Sequence, residues 1–341
     1  MQIAVDAMGG DHAPRAVIEG AFQAAASGIE IVLVGDRAQL EPELERCGAT
    51  PRALRVEHAE EVVTMEDRAV AVRKKRRSSI RVCTRLVKEG KAQAVVSAGN
   101  TGAAMIAAKT VIGSIPGVDR PALAAVFPVR GGRTVVLDVG ANVSASAAHL
   151  RQFAVMGHFY AQGVLGTSAP RIGLMSVGEE EGKGTSLARE AFQVLKRTGL
   201  NFIGNVEGGD VFSGEVDVIV CDGFVGNVLL KSGESLAGYL GTLMRESLQS
   251  SWRTRLGYLL AKPAFDEYRR RTHWSEYGAV PLLGVRAGCF IAHGRSNARA
   301  IRNAIQRAVE FCEARVHEKI ETKVAELHDQ EASILAGGDG A

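Results

Sequence analysis
The 341-residue sequence has few cysteines, few aromatic residues and no long apolar run, and each shortage closes a class of function. Cys47, Cys83, Cys221, Cys289 and Cys312 are scattered with no Cys-x-x-Cys pair, which argues against disulfides and zinc and for reduced thiols. No stretch of about 18 uninterrupted apolar residues occurs, and no basic region leads into an apolar run at the amino end, so neither a spanning helix nor secretion is expected. A cytoplasmic protein is the default. The net charge of +3 is too small to imply nucleic acid by itself. Nucleophile and metal motifs are missing too: there is no Gly-x-Ser-x-Gly elbow, the nearest run being Gly233-Glu234-Ser235-Leu236-Ala237, and no His-Glu-x-x-His pair. No metal or other cofactor is expected.

What is present is enough apolar sequence, 46% of residues against 23% charged, to bury a large α/β core. Strand, glycine turn and helix recur along it. Gln2 to Asp6 leads into Ala7-Met8-Gly9-Gly10-Asp11-His12-Ala13-Pro14, Ile31 to Val34 into Gly35-Asp36, Ala94 to Ser97 into Ala98-Gly99-Asn100-Thr101-Gly102, and Thr134 to Asp138 into Val139-Gly140-Ala141-Asn142. Arg171 to Ser176, Phe202-Ile203 and Val218 to Cys221 repeat the pattern. Such alternation predicts an α/β fold, a three-layer α/β/α sandwich with a mostly parallel sheet. Its polar turns would converge if they share one edge of that sheet. One catalytic domain is expected over 1–335, with a flexible tail at 336–341. Val228 to about Arg271 is too much helix for one crossover and reads as a protruding helical hairpin over 228–271. Its apolar face suits a dimerisation arm, and its tip, among Arg245, Arg253, Arg255, Lys262 and Arg269-Arg270-Arg271, also suits a membrane surface. A charged helix is expected from Arg295 to about Leu335.

The corner that organises the chain is Asp217 to Lys231, where the short apolar strand Val218-Ile219-Val220-Cys221 meets Asp222-Gly223 and a helix starts near Gly226-Asn227. Glycine turns and helix starts offer orphan N–H donors to anions. Ser97-Ala98-Gly99-Asn100-Thr101-Gly102 has this form, with a plain N-capped helix as the other reading. Gly178-Glu179-Glu180-Glu181-Gly182-Lys183-Gly184-Thr185 is one residue short of a P-loop and lacks the third glycine of a dinucleotide fingerprint. Lys183 between glycines offers a positive charge to phosphate or to a developing oxyanion, unless Glu179, Glu180 and Glu181 merely neutralise it. Asn227 reads either as an oxyanion donor or as a cap. Cys221 reads as a core residue rather than a nucleophile, and His12 as a turn residue rather than a base. The run Arg73-Lys74-Lys75-Arg76-Arg77 is a solvated face or a dock for an acidic partner.

Taken together, Ile3-Ala4-Val5-Asp6-Ala7-Met8-Gly9-Gly10-Asp11-His12-Ala13-Pro14, Ser97-Ala98-Gly99-Asn100-Thr101-Gly102-Ala103, Leu137-Asp138-Val139-Gly140-Ala141-Asn142, Gly204-Asn205-Val206-Glu207-Gly208 and Asp222-Gly223-Phe224-Val225-Gly226-Asn227 resemble the bacterial phosphate acyltransferase family of phospholipid synthesis. The resemblance extends over about Gln2 to Phe311. It implies transfer of a fatty acyl group from acyl carrier protein to inorganic phosphate, giving acyl phosphate for the glycerol-3-phosphate acyltransferase. It also implies an isopropylmalate dehydrogenase-like fold, a homodimer and peripheral membrane association. On the matching positions it implies catalytic roles for Lys183 and Asn227. Substrate contacts are implied at Asp6, Gly9, Gly10, Asn100, Thr101, Gly102, Asp138, Gly140, Asn142, Glu207, Asp222 and Gly226. The sequence departs from the family pattern at Thr185, where Asn is usual, at Val225, where Thr is usual, and in Ala292-His293-Gly294-Arg295-Ser296.

Phosphate is itself an oxyanion near neutral pH, so this reaction needs no protein nucleophile. On this reading phosphate sits in the 100–102 and 138–142 turns, Lys183 and Asn227 stand at the reacting carbonyl, and the basic run from Arg73 receives the carrier. A phosphotransacetylase using acyl-coenzyme A, a nicotinamide-dependent dehydrogenase of related fold and a non-enzymatic membrane scaffold are the competing readings.

Overall fold
Strands that are apolar at every position need cover on both faces, and this chain supplies it. The computed structural model describes residues 1–272 and 278–337. In β1 (Gln2–Asp6), Ile3 and Val5 enter one core and Ala4 the other, each at most 1% exposed. β2 (Glu30–Gly35) and β4 (Ala94–Ser97) alternate in the same way. Helices α1 (Arg15–Ala26), α5 (Ala147–Leu165), α6 (Ser186–Leu195) and α9 (Ala298–Glu313) bury their apolar residues against the first face. α3 (Ser79–Lys88) and α4 (Thr101–Ala107) cover the second. The result is the expected three-layer α/β/α arrangement.

The other strands are β3 (Leu54–His58), β5 (Ala122–Val129), β6 (Gly132–Leu137), β7 (Ile172–Met175), β8 (Phe202–Val206), β9 (Val218–Val220), β10 (Ala279–Leu283) and β11 (Gly288–Ala292). One 11-stranded sheet runs β3-β2-β1-β4-β11-β10-β5-β6-β9-β7-β8. Within each half neighbours are parallel, but β11 to β10, β10 to β5 and β5 to β6 are all antiparallel. Three reversals turn the second half of the sheet round. The carboxyl ends of β1, β4 and β11 therefore lie at one edge and those of β6, β9, β7 and β8 at the other. This corrects the expectation of one convergent edge: glycine turns mark strands that feed helices, whereas β5, β10 and β11 belong to hairpins and escaped that pattern.

α7 (Gly223–Gln249) and α8 (Trp252–Thr272) form the expected hairpin. The side chains of Arg269, Arg270 and Arg271 lie outside the described residues. Leu236, Tyr239 and Leu240 on α7 and Trp252, Leu256, Leu259 and Leu260 on α8 are exposed, Leu260 by 80%. The carboxyl-terminal helical segment is two helices, not one. Arg315 adopts a left-handed φ of 53° between α9 and α10 (Val316–Gly337), and that conformation cannot continue a right-handed helix. α10 also reaches into the expected tail, of which residues 338–341 lie outside the described residues. Among the described residues no helix is long and apolar enough to cross a membrane.

Candidate active site
At the edge made by β6, β9, β7 and β8, Asp138 is fully buried and its carboxylate organises the turn that follows. Its Oδ1 accepts from the N–H groups of Leu123 (3.0 Å), Gly140 (3.2 Å) and Ala141 (3.0 Å). Its Oδ2 accepts from the N–H of Asn142 (2.6 Å) and from Asn142 Nδ2 (2.9 Å), which also donates to the Pro121 carbonyl. Burial raises the Asp138 pKa, while the hydrogen bonds from Ala141, Leu123 and Asn142 pull it down. The donors expected to hold phosphate here are thus taken by the turn's own carboxylate. An anion cannot share them without displacing another anion.

The start of α7 is packed directly on this turn. The Gly223 N–H donates to the Asn142 carbonyl at 2.8 Å. A side chain at Gly226 would put its Cβ 1.9 Å from the Asp138 carbonyl oxygen, so only glycine fits. Asp222 caps the helix through the Val225 N–H at 2.8 Å, and it is this backbone contact that the Val225 departure leaves intact. Asn227 is not the cap. Its side chain stands over Gly140, whose missing Cβ would lie 3.5 Å from Asn227 Oδ1. Beside it Cys221 is buried, and burial pushes its thiol far above the ordinary range, as suits a core residue.

Lys183 lies on the glycine loop between β7 and α6 at the same edge. Its side chain is 57% exposed and, among the described residues, pairs with Glu180 Oε1 at 3.9 Å. Glu181 is turned away, held by Gln193 (2.6 Å) and Lys196 (3.2 Å), and those contacts lower its pKa. Three acids near Lys183 in sequence therefore leave one loose ion pair in space. Thr185 caps α6 through the Ala188 N–H, the job an Asn would do. Glu207, at the end of β8, is exposed, with its N–H donated to Asp210 Oδ2 at 2.7 Å. Two residues at this edge were not singled out by sequence. Ser176 Oγ and Asn205 Oδ1 are buried and meet no hydrogen-bond partner among the described residues. The signal for both was a polar side chain where an apolar strand ends.

At the other edge Asp6 is also buried. Its carboxylate accepts from Ser97 Oγ (2.7 Å) and the Met8 N–H (3.3 Å), and burial raises its pKa against those bonds. Here backbone fills the corner: a Cβ on Gly9 would sit 2.6 Å from the Gly99 nitrogen, and one on Gly10 3.0 Å from the Gly294 carbonyl. Asn100 caps α4 through the Ala103 N–H, and its Nδ2 donates to the Asp67 carbonyl at 2.9 Å. Gly102 abuts Ala69, and Thr101 opens the same turn. Asn100 thus acts as the N-cap of α4. Asp67 also pairs with Lys75 at 2.6 Å, which lowers its pKa, so the basic run is clamped beside this corner.

The two edges are joined by the first turns of α7. One and two turns beyond Asn227, Lys231 and Glu234 pair at 3.0 Å and act electrostatically on His293, as does Asp11 from the other edge. Next along α7, a cavity of about 1380 Å³ opens between the hairpin and the end of β5. Leu230, Met244 and Leu259 line it from the hairpin, and Phe127 and Phe212, edge to face at 5.8 Å, from the body.

The family model described as "Fatty acid synthesis protein" matches residues 1–319. The phosphate acyltransferase of Pelotomaculum thermopropionicum is 49% identical over 329 residues, 96% of each chain. That of Acidobacterium capsulatum is 50% identical over 333 residues, covering 97% of this chain and 99% of that protein. This chain belongs to the phosphate acyltransferase family. The family's fold is shared more widely. A phosphotransacetylase from Streptococcus pyogenes superposes with a TM-score of 0.62 at 18% identity, covering 91% of this chain and 94% of the other. A branched-chain phosphotransacylase from Enterococcus faecalis gives 0.54 at 15% identity, with 91% and 98% covered. A protein described as a 4-hydroxythreonine-4-phosphate dehydrogenase from Salmonella typhimurium gives 0.51 at 17%, again with 91% and 98% covered.

Proposed function
We propose that this phosphate acyltransferase takes its fatty acyl group from acyl carrier protein and transfers it to inorganic phosphate at the Asp138 edge. The observation that carries the reading is the placement of two exposed side chains at one strand edge: Lys183 with its loose 3.9 Å pair to Glu180, and Asn227 resting on Gly140. A phosphate oxygen attacks the thioester carbonyl carbon, and the carbonyl oxygen becomes an oxyanion. Lys183 and the Asn227 amide stabilise that charge, each worth on the order of 10²-fold as an oxyanion donor. The C–S bond then breaks, the carrier leaves as thiolate and takes a proton from water, and acyl phosphate remains.

The carrier docks at the other edge, where Arg73, Lys74 and Arg76 stand on the run that Asp67 and Asn100 clamp to the β4 turn. Its thioester arm follows the first turns of α7 to Asn227, and the acyl chain enters the cavity that begins at Leu230. The exposed apolar residues of α7 and α8 are covered by a second copy of the chain or by the membrane surface, since a monomer seldom leaves such a row in water. The product is handed on to glycerol-3-phosphate acylation. Purified protein given long-chain acyl carrier protein and acyl-coenzyme A in competition should consume the carrier first, only with phosphate, and yield hydroxylamine-trappable product. Preference for acyl-coenzyme A would replace this reading with that of a phosphotransacetylase.

A further inference from the structure
We propose that Asp138 is a positioning residue for Asn227: what the turn after β6 binds is its own carboxylate, and the turn so held is the platform on which the Asn227 amide rests. The inference rests on the reading that Asn227 faces the reacting carbonyl. Five donors, four of them backbone N–H groups, reach the two oxygens of Asp138, so no substrate donor is needed to satisfy it. One of those donors comes from Leu123 on β5 and four from residues 140–142, so the carboxylate ties two strand ends to one turn. That turn then touches α7 at three points. The Asp138 carbonyl meets Gly226, the Asn142 carbonyl accepts from Gly223 and Gly140 lies under Asn227. A shift of the turn is a shift of the amide. Misplacing a reacting group by about 1 Å is enough to cost on the order of 10²-fold in rate.

Asp138→Asn tests this at constant shape. Its amide nitrogen would face one set of donors, so the turn loses its hold on one side without a cavity being made. The expected result is a fall in kcat of roughly 10²-fold, with KM for phosphate within about threefold of the parent. A double-mutant cycle separates positioning from general damage. In an Asn227→Ala background the same Asp138→Asn change should lower kcat by less than about twofold, because the group it positions has gone. Full multiplication of the two losses would overturn the proposal, and so would a raised phosphate KM with kcat unchanged, which would make the turn a phosphate site. Asn227→Ala alone tests the underlying reading: normal kcat in that variant would remove Asn227 from the reaction and the proposal with it. Should Asp138→Asn fail to fold, Asn142→Ala removes one of the five contacts and keeps the backbone donors, and the same cycle should show the same pattern at smaller size.

Discussion

Asp6 at the end of β1 and Asp138 at the end of β6 are both buried carboxylates that anchor a glycine turn, yet their surroundings differ. Around Asp6 the space is closed by main chain, Gly9 against Gly99 and Gly10 against Gly294. Around Asp138 the carboxylate gathers the local N–H donors; Asn227 stands over its turn, and Lys183 lies farther along the same edge, both exposed. The first corner fixes architecture, because main chain packs on main chain there. The second fixes its frame and leaves two side chains exposed. A polar glycine turn is therefore not a ligand site by itself; what matters is whether its donors are already taken.

Substitutions that differ by one methyl group should sharpen this contrast. Gly226→Ala would force a Cβ into the Asp138 carbonyl and should destabilise by more than ~3 kcal/mol, with activity lost, as read by urea unfolding and turnover. Gly9→Ala meets Gly99 less severely and should cost about 1–3 kcal/mol in the same unfolding assay. If both glycines tolerate alanine equally, the two corners are not built as described.

The cavity gives an intermediate effect. A side chain at Gly241 would enter open space, since nothing lies within 4 Å of its Cβ, and alanine-like residues favour the helix over glycine by about 1 kcal/mol. Gly241→Leu should therefore fold, yet depress turnover of the longest acyl chains first. Each methylene denied burial should cost about 0.8 kcal/mol, roughly fourfold in kcat/KM. A uniform loss at every chain length would place the acyl group elsewhere. The smallest effect belongs to the clamped basic run. Reversing Arg73, Lys74 and Arg76 together should raise KM for the carrier by about tenfold at low salt and less at high salt, without moving KM for phosphate. Insensitivity to those charges would detach the carrier from the Asp6 side of the molecule.

Much of this was legible in the chain. β1, β4, β9 and the helices after them follow from apolar runs ending in Gly, Asn and Asp, and the hairpin from a helical stripe too long for a crossover. The reversal in the middle of the sheet was not. β5 and β10 carry Pro128 and Pro281, feed no helix and pair through long-range contacts that leave no local period. For the same reason sequence grouped Asn100 with Asp138, although three strand reversals separate them. Nor could it show that Asp138 faces its own turn, because a carboxylate next to N–H groups and a carboxylate beside a ligand have the same one-dimensional pattern. Lys183 and Asn227 stood out because glycine brackets the first and a strand-to-helix corner the second.

The roles proposed for Lys183 and Asn227 at the Asp138 edge are best probed by phosphate-dependent release of free carrier from long-chain acyl carrier protein by the parent, Lys183→Ala and Asn227→Ala proteins. Each variant should fold normally, keep its carrier KM within about threefold and lose at least about tenfold in kcat. Near-parental kcat in both variants would remove both residues from the reaction and move it away from this corner.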